Sequence, residues 1–278
     1  MSRVAEELAR SGSDQAVPAV PWLVSLRRGW RAFRTGLAFV VFGLGAVVID
    51  LLILPVLRLV SWRPADRQRR VQLLIHHAYR LFALFMTTLG LIRVTWVGRE
   101  RLREGPILVV ANHPTLIDVV LLVAAMPQAV CIVKTAAERH PLLRRLVRGA
   151  GYIGNDHPEA LIDAGTESLR QGRSLLLFPE GTRSPEGRLW PFRRGAARIA
   201  LRSGTDLVAV VITCSPPTLM KGQPWYDVPP CTAHLTFTVK EPIRLEDHAA
   251  PGKTEAAGAR EVTEYLQTFF ERNLHTGR

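Results

Sequence analysis

His113 and Asp118 are the residues of this chain whose types and spacing best suit chemistry done in common. A carboxylate that accepts from one imidazole nitrogen fixes the tautomer and leaves the other nitrogen free to take a proton. With no Ser or Cys nucleophile beside them, the pair would act on a hydroxyl brought by a substrate. Five residues apart in one regular helix, the two side chains would point about 140° away from each other. They meet only if the chain turns between them, and His113-Pro114 supplies a turn, because Pro disfavours helical backbone at the residue before it. The spacing alone is weak, with roughly 0.3 matches expected by chance in a chain of this composition. An imidazole capping a helix with an Asp in its first turn is the plain alternative.

The elements that must position this pair are legible around it. Residues 106–122 read PILVVANHPTLIDVVLL. Residues 107–110 form a short β-branched run suited to a strand buried on both faces of a parallel sheet, and the run after the break reads as a helix with Pro114 in its first turn. A second strand-to-loop transition follows at residues 174–178, which run into Pro179-Glu180-Gly181-Thr182-Arg183. Gly181 lets a ligand approach the backbone, Thr182 offers a hydroxyl and Arg183 a planar fork that matches phosphate. Phe192-Arg193-Arg194-Gly195 is a further basic turn opening a helix, whose N-terminus also favours an anion. Two such turns flanking one helical connection point to an anion site. Lys134, one of four lysines, ends a strand at residues 129–133; a strand-end cation is its ordinary reading.

The chain has 278 residues, 47% of them hydrophobic, enough for one sizeable α/β domain with an appendage. Its net charge of +12 calls for an anionic partner, although an Arg-rich genome would produce much of it without function. Cys131, Cys214 and Cys231 fit no metal-ligand pattern, so no metal or cofactor is expected. Residues 1–20 read as a flexible polar leader with no signal-peptide core. Trp22 to Arg34 is basic and amphipathic, suited to an anionic membrane surface. Residues 36–57, GLAFVVFGLGAVVIDLLILPVL, are long enough to cross a bilayer but carry Asp50 and Pro55 and have arginines on both sides. A re-entrant or interfacial helical hairpin with both ends on the cytoplasmic face reconciles these features. A membrane-associated region over 21–93 and a catalytic domain over 94–278 follow.

Helices are expected at residues 71–92, 141–148, 158–171 and 262–274, and strands at 93–97, 207–212 and 232–239, with a long Pro-rich loop ending at Pro230. Nucleic-acid binding is disfavoured because no groove-reading helix or aromatic-basic interleaving occurs, and serine hydrolysis because no GxSxG occurs.

In this order, NHPTLID and FPEGTR resemble the blocks of the glycerophospholipid (1-acyl-sn-glycerol-3-phosphate-type) acyltransferase family, over roughly residues 94–245. The resemblance implies a glycerolipid acyltransferase fold: α/β, a mostly parallel central sheet flanked by helices, with an N-terminal membrane-associated helical hairpin. It implies a membrane-bound O-acyltransferase at the cytoplasmic face of the inner membrane, moving an acyl group from acyl-CoA or acyl-carrier protein to a lysophospholipid hydroxyl. His113 would be the general base and Asp118 its orienter. Glu180, Gly181, Thr182 and Arg183 would hold the acceptor's glycerol phosphate, with Lys134 and Arg194 contributing charge. Asn155 stands where the family's second block carries an arginine, and Ala209 where its fourth carries a proline. The NHPTLIDVVLL, CIVK and GAGYI runs are also similar to acyltransferases of aryl-polyene lipid assembly, whose acceptors differ, and a non-catalytic lipid or carrier-binding homologue is the remaining alternative.

Overall fold

A computed structural model describes residues 21–141, 143–248 and 254–275; the expected leader over 1–20 lies outside them. The core is a sheet of seven strands, β1 (Ile92–Val97), β2 (Leu108–Ala111), β3 (Ala129–Val133), β4 (Ile153–Gly154), β5 (Ser174–Leu177), β6 (Leu207–Ser215) and β7 (Ala233–Ile243), in the order β1-β7-β6-β2-β5-β3-β4. The β6–β7 pairing is antiparallel and every other pairing is parallel.

β2 lies at the centre between β5 and β6, and its four residues are wholly buried. Side chains alternate across a strand, so Val109 and Ala111 enter one core while Leu108 and Val110 enter the other. The first core lies under α3 (Pro64–Thr88) and α4 (Asp118–Ala125), through Val71, Ile75, Met86, Leu121 and Leu122. The second lies under α7 (Pro158–Arg170), α8 (Gly195–Ser203) and α9 (Glu255–His275), through Ile162, Leu169, Ile199, Val262 and Phe270. Two short helices, α5 (Thr135–Arg139) and α6 (Arg144–Ala150), connect β3 to β4.

The N-terminal region is a helical hairpin. α1 (Pro21–Val48) continues through a π-helical turn at Ile49–Ile53 into α2 (Leu54–Val60), and α3 starts at Pro64. The apolar run over 36–57 is therefore one uninterrupted arm, with the reversal beyond it at residues 61–63. Pro55 does not break the arm because it occupies the first turn after the π turn, where its missing N–H is cheapest. Ser25–Val60 contains a window of mean hydropathy 2.8 and is long and apolar enough to cross a membrane. Several expected boundaries move: α9 begins at Glu255 and not at residue 262, and β7 runs on to Ile243 and does not stop at residue 239. α3 begins at Pro64 and not at residue 71, since Pro64 sits at its N-terminus and Asp66 in its first turn. Pro114 is not in a helix; α4 begins only at Asp118, for a reason that lies in the site itself.

Candidate active site

The parallel strands deliver their C-terminal ends to one edge of the sheet, where ligands of open α/β sheets bind. β2 ends into residues 112–117, β5 into Phe178 and β3 into Lys134.

Asn112 extends the β2–β6 ladder by one step. Its side-chain Nδ2 donates to Ile212 O at 2.8 Å, and its Oδ1 accepts from Ile212 N at 2.7 Å. The next residue, His113, leaves the sheet plane, and its Nδ1 lies 2.9 Å from Asp118 Oδ2. Asp118 also accepts from the Thr115 backbone N–H at 2.7 Å and from the Thr115 hydroxyl. Three donors thus hold a carboxylate that is wholly buried. These bonds form a capping arrangement in which Thr115 and Asp118 satisfy each other three residues apart, and they keep 114–117 out of the helix. Because Asp118 has no proton to give when ionised, Nδ1 carries the hydrogen and Nε2 is left as the acceptor. The imidazole, 17% exposed, stacks on Phe178 with ring centroids 4.2 Å apart and planes at 23°.

Glu180 is buried at 3% exposure, and protein donors occupy both of its oxygens. Oε1 accepts from the His113 N–H at 3.2 Å and from the Ser184 hydroxyl at 2.5 Å, and Oε2 accepts from the Trp190 N–H at 2.9 Å. Burial pushes the Glu180 carboxyl up, against the pull of these donors. The Ser184 N–H donates to His113 O at 2.7 Å. The loop after β5 is thereby tied to the turn after β2.

Arg183 reaches away from this junction. Its guanidinium donates to Leu219 O at 3.0 Å and Met220 O at 3.1 Å, in the expected Pro-rich loop, and Leu219 O also accepts from the Leu116 N–H. The same loop meets the hairpin: Trp225 packs beside Gly36 and Phe39, and Asp227 pairs with Arg28 at 2.9 Å. Gly181 has φ +67°, and a Cβ there would lie 3.0 Å from Arg193 Nε. A cavity of about 310 Å³ is bounded by Phe178, Gly181, Asn155, Arg193 and Arg194, so the two basic turns do share one space. Thr182 is half-buried beside it, and Lys134 is exposed at the end of β3. Among the described residues no cluster of His, Cys, Asp or Glu suits a metal ion.

Sequence reasoning brought His113, Asp118, Glu180 and Gly181 to this edge but passed over Thr115, Phe178, Ser184 and Trp190 as parts of the site. Thr115-x-x-Asp118 carries a readable signal, the capping-box spacing. Two of the three donors to Glu180 lie 67 residues upstream and 10 downstream of it, beyond any local pattern; only Ser184, four residues on, is near.

Residues 93–213 match the family model described as Acyltransferase. Similar proteins include a 1-acyl-sn-glycerol-3-phosphate acyltransferase of Cocos nucifera, 36% identical over 111 residues that make up 37% of this chain and 36% of that protein. One of Helicobacter pylori is 29% identical over 194 residues, 65% of this chain and 78% of that protein. The chain spans less than half the length of the first relatives it matches. The crystal structure of the 1-acyl-sn-glycerophosphate acyltransferase PlsC from Thermotoga maritima superposes with a TM-score of 0.67 at 19% identity, covering 91% of this chain and 97% of that one. The two share a fold, including the mostly parallel sheet flanked by helices.

Proposed function

We propose that the protein is an O-acyltransferase that acylates the hydroxyl of a lysophospholipid, with 1-acyl-sn-glycerol-3-phosphate as the leading acceptor and acyl-CoA or acyl-carrier protein as donor. The observation that carries this reading is the His113–Asp118 bond of 2.9 Å, with Nε2 left free on a partly exposed ring. His113 Nε2 takes the acceptor's hydroxyl proton while that oxygen attacks the thioester carbonyl carbon. The C–S bond then breaks, and the proton held on Nε2 goes to the departing sulfur. A thiol leaves readily, so a base, positioning and charge complementarity are sufficient. Arg193, Arg194 and Gly181 bound the space proposed for the acceptor's phosphate; Thr182 and Lys134 are not among its lining residues. Arg183 and Glu180 shape the loop after β5, since their bonds go to the protein itself. Asn155, also on this cavity, offers no charge to the phosphate and leaves room for an acceptor other than lysophosphatidate.

The hairpin docks this domain on the cytoplasmic face of a membrane. Leu26, Trp30, Phe33, Leu37, Leu44, Val48, Leu52, Val56 and Leu59 are all exposed and recur at helical spacing as one stripe. The opposite side of the same arm buries Thr35, Ala38, Asp50 and Leu54 in the protein. An arm about 54 Å long that is apolar on one side and packed on the other lies along an interface better than it spans one.

Incubation of the purified protein with both donor types and a panel of lysophospholipid and other lipid hydroxyl acceptors, followed by product mass measurement, tests the proposal. Acylated lysophosphatidate is the expected product. Thioester consumption without any acylated lipid would overturn it.

A further inference from the structure

At the far end of the hairpin, a cavity of about 760 Å³ opens between α2, the start of α3 and α6. Arg58, Arg67, Arg144, Arg145 and Arg148 converge on it, with Asp50 as the one acidic residue among its walls. Arg145 pairs with Asp50 at 3.3 Å; the other four have no acidic partner among the described residues. Four such guanidinium groups repel one another unless an anion joins them.

Two further observations point to a ligand. Asp50 is 97% buried in the π-helical turn, a distortion frequent at functional sites, and its Oδ1 receives no hydrogen bond. A buried carboxylate oxygen without a donor is expensive, and a hydroxyl group entering the cavity would supply one. The rim is apolar and bare: Leu59 is 79% exposed and Trp62, at the hairpin turn, 94%. A Trp in that setting suits the membrane–water boundary.

We infer that this cavity is a head-group site for an anionic glycerophospholipid, separate from the reacting centre. The phosphate sits among Arg58, Arg67, Arg144 and Arg148, a head-group hydroxyl donates to Asp50 Oδ1, and the acyl chains lie over Leu59 and Trp62. Neither His113 nor any residue of the β5 loop lines it. Asp50 is about 21 Å along the helix axis from Gly36, where the loop bearing Trp225 packs. The inference uses nothing of the chemistry proposed at His113.

Native mass spectrometry of the detergent-purified full chain tests it, with equimolar phosphatidylglycerol, phosphatidic acid and phosphatidylcholine, and separately with soluble sn-glycerol 3-phosphate. The wild type is expected to retain phosphatidylglycerol at least tenfold over phosphatidylcholine. Arg144→Ala/Arg148→Ala, at exposed positions, loses that preference with an unchanged thermal melt. Asp50→Asn lowers the ratio of bound phosphatidylglycerol to phosphatidic acid, which lacks the head-group hydroxyl. A folded double variant that keeps the preference, an unchanged ratio in Asp50→Asn, or capture of sn-glycerol 3-phosphate without any lipid would each overturn the assignment.

Discussion

The turn after β2 and the loop after β5 are each built around one buried carboxylate, yet the two carboxylates have different work. Asp118 accepts from an imidazole and from both donors of Thr115, so its charge acts on a partly exposed side chain. Glu180 accepts from the backbone N–H groups of His113 and Trp190 and from the Ser184 hydroxyl, so its charge fixes where the chain runs. Acid type and burial alone do not separate a residue that tunes a base from one that holds the base's platform. The identity of the donors does.

This difference is broken most severely by Asp118→Asn. The amide cannot accept from both Nδ1 and Thr115 as the carboxylate does, the tautomer is no longer fixed, and turnover should fall roughly 10²–10⁴-fold with little change in KM. Equal losses in turnover and stability would erase the distinction. Glu180→Gln should do the reverse. An NH₂ placed against an N–H or hydroxyl donor costs about 1–3 kcal/mol of stability, visible as a lower Tm, with a smaller loss of turnover in the protein that remains folded. Burial raises the Glu180 pKa, so its ionised form disfavours folding. Its contribution to stability falls as pH rises from the ordinary carboxylate value through the raised one, and Glu180→Gln should flatten that part of the stability profile. Phe178→Leu removes the ring stacked on the imidazole and is the mildest change, a roughly two- to tenfold drop in turnover with the pairing to Asp118 intact.

The central strands, the placement of both motifs where a strand ends in a turn, and the need for a turn at His113 were legible because each rests on a local run of residues. β3 is found where its apolar run predicts it, over Ala129–Val133, and β5 differs from expectation only at Phe178. What escaped is non-local. β4 is two residues long and exists only through its pairing with Ile132 and Val133. Arg183 reads in sequence as a phosphate fork, but two carbonyls of a loop 36 and 37 residues away receive it. The reversal of the hairpin at 61–63 was hidden because hydropathy marks where an arm is apolar and not how it packs; Asp50 looked like an interruption and is a buried wall of a cavity.

The proposed acyl transfer depends above all on His113 as the base. The most direct test is thioester-dependent acylation of lysophosphatidate by His113→Ala in membranes, alongside its thermal melt. Turnover is expected to be lower by roughly 10²–10⁴-fold at an essentially unchanged Tm, since the imidazole is a partly exposed side chain whose backbone bonds remain. Undiminished turnover by a folded His113→Ala protein would contradict it.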